Sequence, residues 1–261
     1  MTVFAFELRQ NKTALLIWSA AIAFMLGISV MIYPEMAPQM SGMTDMFADM
    51  GSFTAAFGMD QINFGEFWGY FAIECGNVLG LGGAIFAALT GAAMLSKEQK
   101  DNTAEFLLAH PISRTRVAAN KLLALFAQIA ILNIAVMAIA AAAVSIIGES
   151  IKPKEFFLIF LGYMLMQLEI GCVTFCISAF SRGRGIGAGI GLALGLYFVN
   201  IMSNLMEELK PLKYLTPFAY ADGAYIVAES SLNVGYILAG AAAAAVALVV
   251  GTVHYTRKDI L

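Results

Sequence analysis

Six long apolar stretches dictate what this chain can become. They run over Thr13–Tyr33, Glu66–Ser96, Val117–Ile147, Glu155–Phe180, Gly185–Leu205 and Leu232–Tyr255. An α-helix rises about 1.5 Å per residue, so roughly 20 apolar residues cross a hydrocarbon core about 30 Å thick. In lipid each backbone donor and acceptor must be paired inside the protein, which makes helices the natural form of such stretches. Little chain is left for anything else. Of 261 residues, 60% are hydrophobic and 13% charged, against about 25% charged in ordinary soluble domains. The expected fold is all-α: a polytopic membrane protein with six transmembrane helices forming a single transmembrane domain over 1–261.

Charge orients this bundle. An even number of spans puts both termini on one side. That side carries eleven of the fifteen Lys and Arg residues, and the other side has Lys152, Lys154, Lys210 and Lys213. The excess of basic residues on the inner face places the N- and C-termini in the cytoplasm. The net charge of −3 gives no reason to expect nucleic acid as a partner. Residues 1–12 suit a helix resting on the membrane surface, with Val3, Phe4 and Leu8 on one side and Glu7, Arg9 and Lys12 on the wet side. Small residues suited to signal cleavage do not follow, so the first span is expected to stay as an anchor. Pro34 is expected to end it. Residues 34–65 then form an external loop, in which Met36, Met40, Met43, Phe47 and Met50 mark one face of an amphipathic helix. Residues 206–231 form a second external segment.

The longest strongly charged segment lies between the second and third spans, at residues 97–116. Glu98, Asp101 and Glu105 fall three and four residues apart on one helical face, followed by Phe106, Leu107 and Leu108. Pro111 stops that helix, and Ser113 can cap the next, which opens with Arg114 and Arg116. The segment is thus a short cytoplasmic amphipathic helix, a proline break, and the start of a membrane helix.

Inside the spans the informative residues are small or polar. Gly187, Gly191 and Gly195 repeat every four residues, as do Gly185 and Gly189, and the run from Ala239 to Ala245 is also small; such residues let helix backbones approach closely. Glu74, near Asn77, and Glu169, near Gln167, are acids within spans. A charge at a helix centre costs at least ~2.5 kcal/mol, so each needs a partner, a proton or water. With Asn200 of the fifth span, these residues are candidates for a substrate path or subunit seam. A carboxyl that is hydrogen-bonded and merely packs is the equal alternative. Glu169, Cys172 and Cys176 share a face, but two thiols and one acid on one helix make an incomplete metal site, so no metal site is assigned. The external methionine face is the remaining copper candidate, since thioethers suit Cu(I). Three cysteines, all in apolar spans, argue against a disulfide framework. A phosphate-cradling Gly-x-x-x-x-Gly-Lys motif is missing from the sequence, as are His-Glu-x-x-His and Gly-x-Ser-x-Gly, so no enzyme activity and no bound cofactor are expected of this chain.

The charged segment also carries a resemblance. Glu98, Asn102-Thr103, Glu105, Leu107-Leu108, Pro111-Ile112-Ser113-Arg114 and the later Lys121 resemble the cytoplasmic loop of bacterial type-2 (ABC-2-like) ABC exporter permeases, with Asn102 where that family usually has glycine. Leu215-Thr216-Pro217-Phe218 and Arg257-Lys258-Asp259 resemble the family's closing segments. The resemblance implies a multi-pass permease subunit of the cell membrane, driven by a separate ABC ATPase subunit that holds ATP and Mg. Glu98, Asp101, Asn102, Glu105, Phe106, Leu107, Pro111 and Arg114 would engage that ATPase, as a helix laid in a groove. It further implies a second permease copy or homologous permease, contact with membrane lipid, and export of an amphipathic peptide, lipid or drug. The family includes permeases tied to copper-enzyme maturation, which keeps a metal-related role as an alternative. A proton-coupled transporter using Glu74 and Glu169 is another; it lacks the expected internal inverted repeat. A non-transporting scaffold or immunity protein is the last.

Overall fold

The computed structural model describes residues 3–49, 54, 66–100, 112–181 and 185–258. Among these, six helices are long and apolar enough to cross a membrane, and no strand occurs.

The first helix runs from Val3 to Asp49 without interruption. The surface lead-in, the first span and the start of the 34–65 segment are therefore one element, and neither Pro34 nor Pro38 ends it. Its 47 residues reach about 70 Å, well beyond a hydrocarbon core. Proline removes one donor and crowds the preceding turn. In membrane helices neighbouring elements make such turns tolerable. Here the Tyr70 hydroxyl donates to the Ser29 carbonyl at 3.0 Å. The Tyr33 ring also packs on Phe67 and Tyr70 at 5.1 and 5.2 Å. The helix expected from the methionine spacing is present as far as Asp49; Met50 lies outside the described residues.

The second span comprises an α-helix over Phe67–Glu74, a π-helical turn over Cys75–Gly80 and an α-helix over Leu81–Ala93. The wide turn shifts the backbone pairing, as such bulges do within longer helices. Gly76 and Gly80 permit it. A Cβ on either would meet the Tyr163 side chain at 3.1 or 3.0 Å. A short helical turn over Lys97–Lys100 follows. The third span, Arg114–Ile146, begins at the expected cap, where Ser113 Oγ accepts from the Arg116 amide at 3.3 Å. The fourth, Pro153–Phe180, opens with proline in its first turn, where the missing donor has no consequence. The fifth is Gly185–Leu205 and the sixth Val234–Arg257, the latter capped by Asn233.

The first span packs along the third, and the fourth packs against both the second and the sixth. Leu26, Phe71, Phe86, Leu125, Ile129 and Met166 are among the fully enclosed side chains between them. Small residues set the close approaches, though only some of those expected to. Gly185 and Gly189 lie against Ala92 and Ala88 of the second span, whereas a Cβ on Gly187, Gly191 or Gly195 would have nothing within 4 Å among the described residues. Most of the alanines from Ala241 to Ala245 also face outward. The sixth span instead makes its contacts through Gly240 and Gly251.

Residues 206–231 fold back into the bundle. Two 3-10 turns, Glu207–Tyr214 and Pro217–Ala219, lead to a short helix over Gly223–Glu229. Phe218, Tyr220, Ala221, Ala224 and Ile226 of this segment are buried. Thr216 Oγ1 pins it by donating to the Leu196 carbonyl at 2.9 Å.

Candidate functional site

Two groups of polar residues stand out, one at each end of the bundle. The first is an ionic cluster at the end where both termini lie. Lys121 of the third span and Glu7 of the first are fully buried. An ammonium taken out of water must have its donors filled. Lys121 Nζ donates to Glu7 Oε1 at 2.8 Å, to the Met94 carbonyl at 2.6 Å, and to Glu98 Oε1. The Met94 carbonyl closes the second span's last turn, so the lysine also answers an acceptor that the helix end leaves open. Lys97 Nζ reaches Glu7 Oε2, and Gln10 Oε1 at 2.6 Å. Two acids and two bases thus tie the first span, the third span and the start of the 97–116 segment together.

The C-terminal tail closes this arrangement. Arg114 Nη1 donates to the Lys258 carbonyl at 2.6 Å. Lys258 Nζ donates to Gln99 Oε1 at 3.1 Å and to the carbonyls of Ala179 and Ser181 at 3.1 and 3.3 Å. Both described flanks of the 97–116 segment are therefore bonded into one patch. Of its expected coupling residues, Glu98 and Arg114 are placed there. Asp101, Asn102, Glu105, Phe106, Leu107 and Pro111 lie outside the described residues. Glu7, expected on the wet side of a surface helix, is buried because Lys97 and Lys121 meet it there. Lys97 and Gln99 carry no site signal in the sequence, and Lys258 belongs there only to a closing segment, not to the coupling residues. The only sequence hint for the cluster is a lysine, Lys121, lying inside an otherwise apolar span.

The other expected group, Glu74, Asn77, Gln167, Glu169 and Asn200, is divided by the fold. Gln167 is fully enclosed. Its Oε1 accepts from Asn133 Nδ2 at 2.6 Å, and its Nε2 donates to the Leu79 carbonyl in the π-helical turn at 3.3 Å. It joins the second, third and fourth spans, and a Cβ on Gly83 would fall 2.1 Å from its Nε2. Glu169 faces the sixth span instead, accepting from Tyr220 Oη at 2.8 Å. Burial first, and the neighbouring Glu169 second, push the Tyr220 hydroxyl well above its ordinary range, so it serves as a neutral donor. Glu169 Oε2 would lie 2.0 Å from a Cβ on Gly240. Replacing Gly240 by alanine is expected to cost about 1–3 kcal/mol by overpacking. A second change, Glu169→Ala, should recover most of it. Equal unfolding midpoints for wild type and the single variant in detergent would refute this packing.

Asn77 and Asn200 do meet. They line a cavity of about 70 Å³ with Tyr163, Tyr197, Asn204 and Asp222. Glu74, half-buried, sits one helical turn away on the same span and is not among the lining residues. The Oδ1 of Asn200 is buried and has no hydrogen-bond partner among the described residues. Metal ligands do not gather in this way: no group of three or more His, Cys, Asp or Glu side chains suited to a metal ion occurs among the described residues.

Comparison with curated proteins returns no match. The sequence pattern of a family described as ABC-2 family transporter protein, in contrast, matches residues 1–260. That match spans all six apolar helices and both flanks of the clamped loop; the chain belongs to the ABC-2 family of transporter proteins and is a multi-pass permease of the cell membrane.

Proposed function

We propose that this permease is the membrane half of an ATP-driven exporter for an amphipathic molecule. A separate ATPase subunit carrying ATP and Mg would work on the 97–116 segment from the cytoplasm. The observation that carries this reading is the clamp at the base of that segment. Glu98 is held by Lys121 of the third span, which also holds Glu7 of the first. Arg114 and Gln99 are held by the tail. A push on either described flank passes directly to the membrane helices bonded to it. Its cytoplasmic placement is supported by the bias of basic residues. Asp101, Asn102, Glu105, Phe106, Leu107 and Pro111 are assigned to the ATPase contact on the same reading.

A second permease copy completes the assembly. The open stripe of Gly187, Gly191 and Gly195 on the fifth span supports this, because small residues at that spacing suit another helix and meet none among the described residues.

Two measurements test the proposal. A cysteine placed at Asn102 in an otherwise cysteine-free chain should resist an impermeant thiol reagent in whole cells and react after permeabilisation. Labelling in intact cells would put the segment on the wrong face. In proteoliposomes, ATPase activity should depend on this chain, and Glu98→Gln should lower that stimulation several-fold while the complex still assembles. Stimulation unchanged by that substitution would remove the clamp from the coupling route.

A further inference from the structure

The cavity far from the termini has a chemistry of its own. The π-helical turn of the second span brings Asn77 to it, the fifth span brings Tyr197, Asn200 and Asn204, and the re-entrant segment brings Asp222. Its lining contains one carboxylate, three side-chain amides and several aromatic rings, but no Lys, Arg or His. Asp222 already caps the short helix after it, its Oδ1 accepting from the Ala224 amide at 2.9 Å. Asn77, Asn200 and Asn204 add side-chain amides to the wall. The amides and the carboxylate offer acceptors, so the site favours a species that brings N–H groups. A cation is favoured further by the carboxylate and by the aromatic side chains of Tyr163, Tyr197 and Phe218 in the lining. The volume, about 70 Å³, holds several waters at roughly 10–15 Å³ each. It admits an ammonium group with its first methylenes. Next to the lining face, Phe198 and Met202 of the fifth span are 60% and 48% exposed, an apolar track for a tail.

We propose that this cavity binds the primary ammonium head of an amphiphile, with its apolar tail lying along Phe198 and Met202. As a statement about cargo class this rests on the transport reading above; as a statement about a binding site it does not.

The test uses the full chain in lipid nanodiscs, without any ATPase, titrated calorimetrically with octylamine and, separately, with octanol; heats from empty nanodiscs are subtracted. Octylamine should bind saturably at one site per chain, and octanol at least about tenfold more weakly, the loss expected from one charge-assisted hydrogen bond. Asn200→Leu should weaken octylamine about tenfold by filling the cavity and removing one of its amides. Asp222→Asn, which keeps the helix cap, should do the same by removing the charge. Unfolding midpoints identify a variant that fails to fold, and the other then carries the test. Equal binding of octanol and octylamine, or unchanged octylamine binding in the folded variants, would overturn the site. Octyltrimethylammonium binding as tightly as octylamine would also overturn it, because three N-methyl groups leave no N–H for the acceptors of the lining. Failure here with intact ATPase stimulation sinks the inference alone. Octylamine binding without ATPase stimulation sinks the transport reading and leaves the site.

Discussion

Replacing Lys121 by methionine should destabilise this permease by about 3–5 kcal/mol, the cost of stripping one partner from a buried ion pair. The size follows from what stays behind. Glu7 is 1% exposed and keeps, among the described residues, only Lys97; Glu98 loses its bond to the third span; the Met94 carbonyl loses its lysine donor. Methionine fills the space but supplies no hydrogen bond. The pair Glu7→Gln and Lys121→Met should lose less than the two single changes added together, since removing both charges avoids an uncompensated one. Unfolding in detergent and denaturant measures this. Additive losses would mean that Glu7 and Lys121 are not coupled. On the proposed mechanism, Lys121→Met also abolishes ATPase stimulation even where folded chain is recovered, because the clamp of the loop to the first and third spans is gone.

Alanine at Gly91 should cost about 3 kcal/mol, the upper end for overpacking a core. A Cβ at that position falls 2.2 Å from Thr174 Oγ1 and 2.7 Å from the Gly171 carbonyl. The hydroxyl can be cut away, but the carbonyl belongs to the fourth span's backbone and cannot rotate aside. Gly91→Ala with Thr174→Ala is therefore expected to recover only part of the loss. Gly187→Ala is the matched control. It meets nothing within 4 Å, so the single chain should be unharmed, or slightly stabilised by alanine's better helix propensity. If both alanines are equally tolerated, the second and fourth spans do not approach as described.

Much of the architecture was legible in the residues because membrane spanning is a local property. Apolar length and the missing charges decide it residue by residue, without reference to what packs where. The Ser113 cap is local in the same sense, since its hydroxyl and the Arg116 amide are three residues apart. The first helix shows where locality fails. Pro34 is a sound stop signal in isolation, yet the helix continues, with the Tyr70 hydroxyl on the Ser29 carbonyl one turn earlier. The π-helical turn had no signal beyond two glycines, and its companion is Tyr163 from another span.

That this chain is a bundle of six membrane helices with a charged segment between the second and third follows from its residues alone, because transfer into lipid sums over contiguous residues. Which polar groups meet is settled by how the helices pack. Glu7 and Lys121 are 114 positions apart. The five polar residues that look alike along the chain end in separate places: a glutamine tying three spans, an acid held by a tyrosine, two asparagines lining one cavity, and Glu74, half-buried outside that lining. The physical reason is that a polar side chain in an apolar helix is costly until it finds a partner, and which partner it finds depends on helix rotation and crossing, quantities set by the whole bundle.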